Sequence, residues 1–179
     1  MKITVYGLAA TGTSTVSKLL AKKRNAAFQS SGGYTREEAT ELGMTIYEYE
    51  AYAVDKLELD IARDKRIAAY GTTHDNFVFD SRLAWHFIPD SFKVCLTADP
   101  DTTYRRIAAR EECDVTTAQE MTEKRRANME DRFRRAYPHI TFPPPPDTFD
   151  LIIDTTAHTP DEVVEEIEAT ILRAATPEA

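Results

Sequence analysis

The segment with the clearest chemical pattern begins at Gly7 and ends at Thr15. Gly7 and Gly12 have the spacing of the phosphate-binding motif G-x-x-x-x-G-K-[ST], except that Thr13 replaces the lysine. Glycines allow the backbone angles of such a loop, and consecutive N–H groups at the start of a helix attract a phosphate chain. The pattern therefore predicts a phosphate loop whose missing lysine charge is supplied by arginines elsewhere. The predicted loop residues are Gly7, Leu8, Ala9, Ala10, Thr11, Gly12, Thr13, Ser14 and Thr15.

Two oxygen-bearing side chains predict a magnesium site beside this loop. Ser14 stands where the motif places a hydroxyl that ligates Mg²⁺. Asp80 ends the apolar residues 77–79, which we interpret as a strand, so it is expected at the carboxyl edge where open α/β sheets bind ligands. A carboxylate in that place can hold a water molecule on Mg²⁺. We therefore expect Ser14 and Asp80 to hold Mg²⁺ as a cofactor.

The charge distribution favours a small polyanion as the ligand. The chain carries a net charge of −8, whereas a protein that binds a nucleic-acid backbone is usually basic. Many of its arginines nevertheless fall between Arg105 and Arg135, which predicts a local cationic patch. We expect a small polyanion as the ligand and no nucleic acid as a partner.

Alternating strands and helices have to position these groups. A helical stretch is predicted from about residue 35 to about residue 70, with a break at Gly43, and a long polar helix from about 116 to 137. The alternation predicts an α/β protein of three layers, in which helices cover both faces of a parallel sheet of about five strands. The apolar segments interpreted as strands are residues 3–6, 77–79, 92–96 and 151–153.

Capping signals predict several element boundaries. Thr35 with Glu38, and Thr45 with Glu48, both fit the capping box that starts a helix. Asn25 follows the first helix as a predicted left-handed stop. The four prolines at 143–146 exclude a helix interior or a central strand and predict a stiff connector.

Length and composition limit the organisation and the setting of the protein. A chain of 179 residues predicts a single domain over residues 1–179. No run of about 18 apolar residues occurs, so we expect no membrane-spanning helix. Cys95 and Cys113 lack metal-site spacing, and we interpret them as free thiols of a cytoplasmic protein.

Segments in a fixed order along the chain resemble those of archaeal-type cytidylate kinases. Residues 30–37 and 41–45 resemble the patterns S-[SA]-G-D-x-[FY]-R-E and R-G-M-[ST], which follow the phosphate loop in that family. The family also commonly has G-T-T in place of G-K-[ST], and residues 12–14 are similar to it. Further resemblances cover Asp60, Asp64 and Arg66 (D-x-x-x-D-x-R), residues 81–85 (G-R-L-x-G-W), 88–98, 106–111, Arg125, Arg132 and residues 149–155.

The resemblance implies a P-loop nucleoside monophosphate kinase with a helical monophosphate-binding insert at about 30–70 and a helical lid at about 106–132. It implies transfer of the γ-phosphoryl group of ATP to CMP or dCMP with Mg²⁺, by a monomer in pyrimidine nucleotide metabolism. Two arginines would grip the acceptor phosphate, and four would close from the lid onto the transferring phosphate. The implied catalytic residues are Arg36, Arg82, Arg106, Arg110, Arg125 and Arg132, and the implied substrate-binding residues are Ser31, Gly32, Arg36, Asp60, Asp64 and Arg82.

Departures from the family pattern leave alternatives open. Ala10 stands in place of a third loop glycine, and Gly33 in place of an acidic residue; Ser81 and His86 alter the G-R-L-x-G-W segment. Because the last three lie near the expected monophosphate pocket, UMP, AMP or a small metabolite are alternative acceptors. A nucleotide-binding module without turnover is a further alternative. A GTPase-like switch is disfavoured, because the guanine-reading N-K-x-D does not occur.

Overall fold

A parallel β-sheet runs through the centre of the molecule. The structure is a computed structural model that describes residues 1–175, apart from the side chain of Tyr47. Within that range the sheet has the strand order β2-β3-β1-β4-β5, and every pairing is parallel, as predicted. The strands are β1 (Lys2–Gly7), β2 (Ala27–Ser30), β3 (Phe77–Asp80), β4 (Phe92–Thr97) and β5 (Leu151–Asp154).

Helices connect the strands and cover both faces of the sheet. The α-helices of the described part are α1 (Thr13–Lys23), α2 (Ser31–Glu41), α3 (Ile46–Ala53), α4 (Leu57–Thr73), α5 (Ala84–Phe87), α6 (Pro100–Glu111), α7 (Val115–Ala136) and α8 (Pro160–Ala175). Side chains of α1 and α8 form one hydrophobic cluster with the sheet, and side chains of α2, α4 and α5 form another. This is the predicted three-layer arrangement. Over residues 1–175, no helix combines the length and the apolar character that crossing a membrane requires.

The central strand β1 is buried on both faces of the sheet, to which its side chains point alternately. Ile3 and Val5 are fully buried and pack with α1 and α8. Thr4, on the opposite face, is also buried, and its hydroxyl exchanges a 2.8 Å hydrogen bond with Ser91. Each fully buried aliphatic side chain contributes about 2 kcal/mol to folding. Packing on both faces therefore holds Gly7, the last residue of β1 and the first of the loop, in a fixed place.

Strand register brings Asp80 next to the loop that follows β1. Asp80 pairs with Val5 across the β1–β3 ladder, and Gly7 pairs with Leu96 across the β1–β4 ladder. All three strands end at the same edge of the sheet because they are parallel. This edge, at the point where the strand order reverses from β1, is where open α/β sheets bind ligands.

The segment before α3 differs from the sequence-based prediction. Residues 27–30 form the edge strand β2, and α2 then begins at Ser31 rather than near Thr35. The helix is capped by Ser30, whose hydroxyl accepts a hydrogen bond from Gly33 N at 2.9 Å. The predicted capping box at Thr35 is wrong, because the Thr35 hydroxyl lies inside α2 and donates to the Ser31 carbonyl. The capping box of Thr45 with Glu48 is confirmed at the start of α3.

A connector of residues 138–150, here called the proline strap, leads from α7 to β5. Its prolines at 143–145 lie outside the helices and strands, and a short 3-10 turn follows over Pro146–Thr148. Aromatic rings flank the prolines: Phe142 and Phe149 both pack on Tyr6, with ring centroids 6.3 and 5.2 Å away. Phe142 also packs on Phe133 of α7, at 5.2 Å. The strap thus attaches the end of α7 to the end of β1.

Candidate active site

The loop after β1 has the backbone geometry of an anion cradle. Gly12 has φ 92° and caps α1 without a side-chain hydrogen bond, and no acidic residue occupies the first turn of that helix. The helix N-terminus therefore offers its N–H groups and its positive end to an anion. Gly7 has no room for a side chain: an added Cβ would meet Thr11 Oγ1 and would lie 2.9 Å from the Leu96 carbonyl oxygen. Ala10 adopts a left-handed backbone, with φ 61°.

Ser14 and Asp80 come together beside this cradle. The Ser14 hydroxyl donates a 2.5 Å hydrogen bond to Asp80 Oδ2. Burial is the largest influence on Asp80 and raises the pKa of its carboxyl, while the hydroxyls of Ser14 and Thr13 act in the opposite direction. A hydroxyl and a carboxylate are hard oxygen donors, and Mg²⁺ commonly binds one or two carboxylates together with substrate phosphates and water. The pair therefore fits a magnesium site completed by a nucleotide's phosphates.

Arg82 is a partly buried cation without an anionic partner. Its Nε is completely buried and has no hydrogen-bond partner, and no ion pair of the described residues involves it. Burial lowers the pKa of the guanidinium, Arg125 and Arg132 lower it further, and Asp80 raises it. Three predicted arginines therefore act on one another at the edge of the sheet that carries the cradle. A buried guanidinium with an unbonded N–H is able to bind an anion.

Arg106 is bonded into the framework of the loop. Its guanidinium donates to the Ala10 carbonyl at 3.1 Å and to the Thr155 hydroxyl and carbonyl at 3.2 and 2.8 Å. The other arginine of α6, Arg110, is exposed and pairs with the neighbouring Glu111 at 2.8 Å. The two arginines that the sequence places together therefore have different surroundings.

Arg125 and Arg132 join α7 to the helices α3 and α4. Arg125 Nη2 donates to Glu50 of α3 at 2.6 Å, between two exposed side chains. Arg132 Nε lies 3.2 Å from Asp60 Oδ2 of α4, as an ion pair without the alignment of a hydrogen bond. These two arginines of α7 are therefore engaged with carboxylates of α3 and α4.

Asp60 and Asp64 are buried and are bonded to protein groups. Arg63 donates to Asp60 Oδ1 at 2.9 Å, and the same guanidinium binds Glu38 of α2 at 2.6 Å. The Tyr137 hydroxyl, at the end of α7, donates to Asp64 Oδ2 at 2.7 Å. The structure thus places both aspartates in the contact between α4 and α7.

The N-terminal turn of α2 presents the remaining predicted residues at an open surface. Gly32 and Arg36 are exposed and Ser31 is half-buried. The Arg36 guanidinium lies 3.6 Å from where a Cβ of Gly32 would stand, and it forms no ion pair among the described residues. Arg36 also lines an open groove beside α2 with Gly33, Glu37, Thr40 and Glu41. The structure does not bring Arg36 into contact with Arg82.

Some residues of the site were not assigned a role from the sequence. Thr155, Tyr137 and Glu50 each bond a predicted residue from a distant part of the chain. Thr155 lies within the family-like segment 149–155, so the resemblance is the signal that could have pointed to it. Tyr137 and Glu50 carry no such signal, because their partners are 73 and 75 residues away in sequence.

The Asp64 carboxyl makes the stability of the protein depend on pH. Its side chain ionises near 3.8 when exposed, and burial, its largest influence, raises the pKa to about 6 in the folded state; Asp60 also raises it, while Tyr137 and Arg63 lower it. Between these values only the folded state keeps the proton, so this group weakens folding as pH rises from about 4 to about 6. The expected loss is on the order of 2–3 kcal/mol.

We expect Asp64→Asn to gain stability relative to the unmodified protein over that pH range. Asparagine stays neutral and can still accept the Tyr137 hydrogen bond, so only the ionisation is removed. Chemical denaturation from pH 4 to pH 8 measures the difference, with exposed Asp147→Asn as the control. A constant difference between the Asp64 variant and the unmodified protein across this range would contradict the prediction.

Comparisons with known proteins show which family the chain resembles. A family model described as an AAA domain matches residues 3–131. A cytidylate kinase of Methanobrevibacter smithii is 33% identical over 171 residues, which cover 96% of this chain and 98% of that protein. An S-adenosylmethionine-dependent nucleotide dehydratase of Lacinutrix mariniflava is 35% identical over 165 residues, 92% of this chain but 34% of that protein, so the chain spans about a third of this relative. The shikimate kinase of Aquifex aeolicus superposes with a TM-score of 0.66 at 16% identity, covering 99% and 100% of the two chains, and this likeness shows the fold alone.

The fold, the loop and these similarities define an ATP-dependent phosphotransferase of the P-loop class. Within that class the chain belongs to the cytidylate kinase family, as the resemblance of its segments implies.

Proposed function

We propose that the protein transfers the γ-phosphoryl group of ATP to CMP or dCMP, with Mg²⁺. The observation that carries the proposal is Arg82, a guanidinium with a buried, unbonded Nε close to Asp80 and the phosphate loop. Its planar fork matches two oxygens of a phosphate group, which would supply the missing anion. Cytidylate kinases among the relatives support a cytidine monophosphate as the molecule that carries this phosphate.

The donor side of the reaction uses the loop and the Ser14–Asp80 pair. Residues 7–15 hold the ATP phosphates through backbone N–H groups and the N-terminus of α1. Ser14 and Asp80 would hold Mg²⁺ together with the phosphates. The metal, when bound, neutralises charge on the β- and γ-phosphates.

The acceptor side uses arginines from three parts of the chain. Arg36 and Arg82 hold the monophosphate so that one of its oxygens faces the γ-phosphorus. A bond forms between that oxygen and the γ-phosphorus as the bond to the bridging oxygen of ADP breaks, so the products are ADP and a cytidine diphosphate. Arg110, Arg125 and Arg132 lower the energy of the charge that develops on the transferring group.

The proposal includes two moving parts of a single domain over residues 1–179. Residues at about 30–70 form the monophosphate-binding insert, and those at about 106–132 form the lid. Contacts of Arg125 with Glu50 and of Arg132 with Asp60 join these two parts, so closure excludes water that would compete with the acceptor. The negative net charge supports small nucleotides rather than nucleic acid as partners. The proposal takes the protein to be a monomer in the cytoplasm.

The first experiment measures phosphoryl transfer from ATP, with Mg²⁺, to CMP, dCMP, UMP, AMP, GMP and dTMP. We expect turnover with CMP and dCMP alone. Turnover with a different monophosphate would contradict the proposed acceptor. It would assign the acceptor specificity to Gly33 and Ser81, which depart from the family pattern. No turnover with any of them would overturn the nucleotide kinase and leave a metabolite kinase or a binding module.

A second variant separates a kinase from a module without turnover. We expect Arg36→Ala to abolish transfer while ATP binding stays nearly intact, because Arg36 lies on α2, away from the loop. Calorimetric ATP binding and steady-state kinetics measure the two properties. A module without turnover would instead bind ATP in both forms and transfer phosphate in neither.

A further inference from the structure

The guanidinium of Arg106 joins two segments that are far apart in sequence. It donates to the Ala10 carbonyl of the phosphate loop at 3.1 Å and to the Thr155 carbonyl, after β5, at 2.8 Å. Both acceptors are backbone atoms, so the two arms of the fork are occupied by the protein itself. With the bond to the Thr155 hydroxyl, the protein uses three of the five N–H donors of Arg106, which leaves two for any ligand.

Thr155 extends this junction to the loop and to the neighbouring strand. Its side chain is buried, accepts from Arg106 at 3.2 Å, and lies 3.0 Å from the carbonyl oxygens of Thr11 and Thr97. Its single hydroxyl proton serves one of those carbonyls at a time, while a lone pair receives Arg106. Thr155 cannot itself reach a bound nucleotide, because it is only 3% exposed.

The Ala10 carbonyl, bound by Arg106, and the Thr11 carbonyl, bound by Thr155, belong to the part of the loop with unusual backbone angles. Ala10 has φ 61°, a left-handed conformation that is unfavourable for a residue with a Cβ. The C=O and N–H of a trans peptide point to opposite sides, so binding the Thr11 carbonyl to Thr155 turns the Gly12 N–H away from Thr155. Within residues 1–175, no backbone group accepts from the Gly12 N–H, which stays available to a ligand.

We propose that Arg106 is a positioning residue, which acts through Ala10 and Thr155 to keep the phosphate loop in its anion-binding shape. This role replaces the direct grip on the transferring phosphate that the family resemblance implies. The inference rests on the proposed phosphoryl transfer, since it concerns the loop that would bind ATP. It assigns to Thr155, which touches no substrate, a share in nucleotide affinity.

The experiment compares ATP binding and turnover of Arg106→Ala, Thr155→Val and the double variant. ATP affinity is measured by calorimetry without any acceptor, so it does not depend on which monophosphate is used. Each single variant is expected to weaken ATP binding about tenfold or more, since each removes hydrogen bonds to charged or buried groups. The double variant is expected to lose little more than the worse single variant, because both act through one junction. The turnover rate at saturating ATP is expected to fall far less than the affinity.

Matched variants separate this role from general damage. Arg105→Ala removes the exposed neighbour, which bonds only within α6, and Thr155→Ser keeps the hydroxyl; both should bind ATP like the unmodified protein. Arg106→Lys keeps the charge but lacks the planar fork whose two Nη atoms reach the Ala10 and Thr155 carbonyls, so it should not restore binding. If Thr155→Val fails to fold, the Arg106 variants and their controls decide the test alone.

Three outcomes would overturn the proposal: unchanged ATP affinity with a large loss of turnover in Arg106→Ala, recovery by Arg106→Lys, or additive losses in the double variant. Each would return Arg106 to the transferring phosphate or to an unrelated role. These outcomes differ from failure of the proposed function, in which the unmodified protein binds ATP and transfers phosphate to none of the monophosphates.

Discussion

Replacing Arg82 with methionine should lower kcat/KM for the monophosphate about a thousandfold, as expected for loss of a cationic group at a transferring phosphate. ATP binding should change little, because the contacts of the loop do not include Arg82. The same variant should unfold less easily. Arg82 forms no ion pair among the described residues, and the nearby Asp80 offsets only part of the cost of burying its charge, so an apolar side chain of similar length relieves its desolvation, by about 1–2 kcal/mol.

The opposite changes in activity and stability make the Arg82 result diagnostic. Steady-state kinetics, calorimetric ATP binding and chemical denaturation measure the three quantities on one preparation. Arg126→Met is the matched control, because Arg126 is exposed on α7 and its Nε lies 3.6 Å from Glu130, a pair that contributes little. Undiminished turnover, or a loss of stability in Arg82→Met, would show that Arg82 is a structural residue and not part of the acceptor site.

Gly7→Ala should abolish measurable ATP binding and destabilise the fold. The added Cβ would meet Thr11 Oγ1 and lie 2.6 Å from Thr13 Cγ2 and 2.9 Å from the Leu96 carbonyl oxygen. The last of these atoms belongs to β4, which cannot move without breaking its pairing with β1, so the loop has to shift instead. Overpacking of this kind typically costs about 1–3 kcal/mol, and the shifted loop no longer presents its N–H groups together.

Gly43→Ala provides the comparison for this variant. Gly43 has φ 67° with nothing within 4 Å of an added Cβ, so alanine there strains the backbone without a clash. We expect a loss of about 1 kcal/mol and normal ATP binding, since Gly43 lies between α2 and α3, away from the loop. Denaturation and calorimetry decide the matter. If Gly7→Ala behaved like Gly43→Ala, steric exclusion at the start of the loop would not be the reason for that glycine.

Local patterns were sufficient to predict the phosphate loop and most of the sheet. The buried strands are mostly apolar, and Gly7 and Gly12 mark the loop between β1 and α1. Asn25 does take the left-handed conformation predicted for it, with φ 48°. These features depend on neighbouring residues, so the sequence alone carries them.

The edge strand β2 could not be predicted in the same way. Its four residues are mostly half-buried or exposed, so neither an apolar run nor a strict alternation marks them. Its pairing with β3 places Ser30 at the start of α2, ahead of the better local match at Thr35. Glu38, the expected partner of Thr35, is instead bound by Arg63, which is 25 residues away. Long-range partners decided the boundary.

The same limit applies to the arginines. A sequence shows that Arg106, Arg125 and Arg132 are cationic, but the atoms that face them come from distant segments. Arg106 is bonded to backbone carbonyls, and Arg125 and Arg132 are paired with carboxylates of α3 and α4. Arg82, by contrast, has no such partner among residues 1–175. Only the fold shows which arginines already have a protein partner and which, like Arg82, have none among the described residues.

The proline strap holds the C-terminal end of α7 in place, so a tilt of this helix would pivot about that end. Phe142 attaches the C-terminal end of the helix to Tyr6, whereas the other end joins α6 through a short turn. A helix of 22 residues is about 33 Å long, so a tilt of about 10° at the strap moves the far end by roughly 6 Å. Arg125 lies about 17 Å from the strap, and Tyr137 lies beside it. A tilt would therefore separate Arg125 from Glu50 while Tyr137 keeps its hydrogen bond to Asp64. Such a tilt of the proposed lid would therefore move its far end by several ångströms while the base of the active site barely moves.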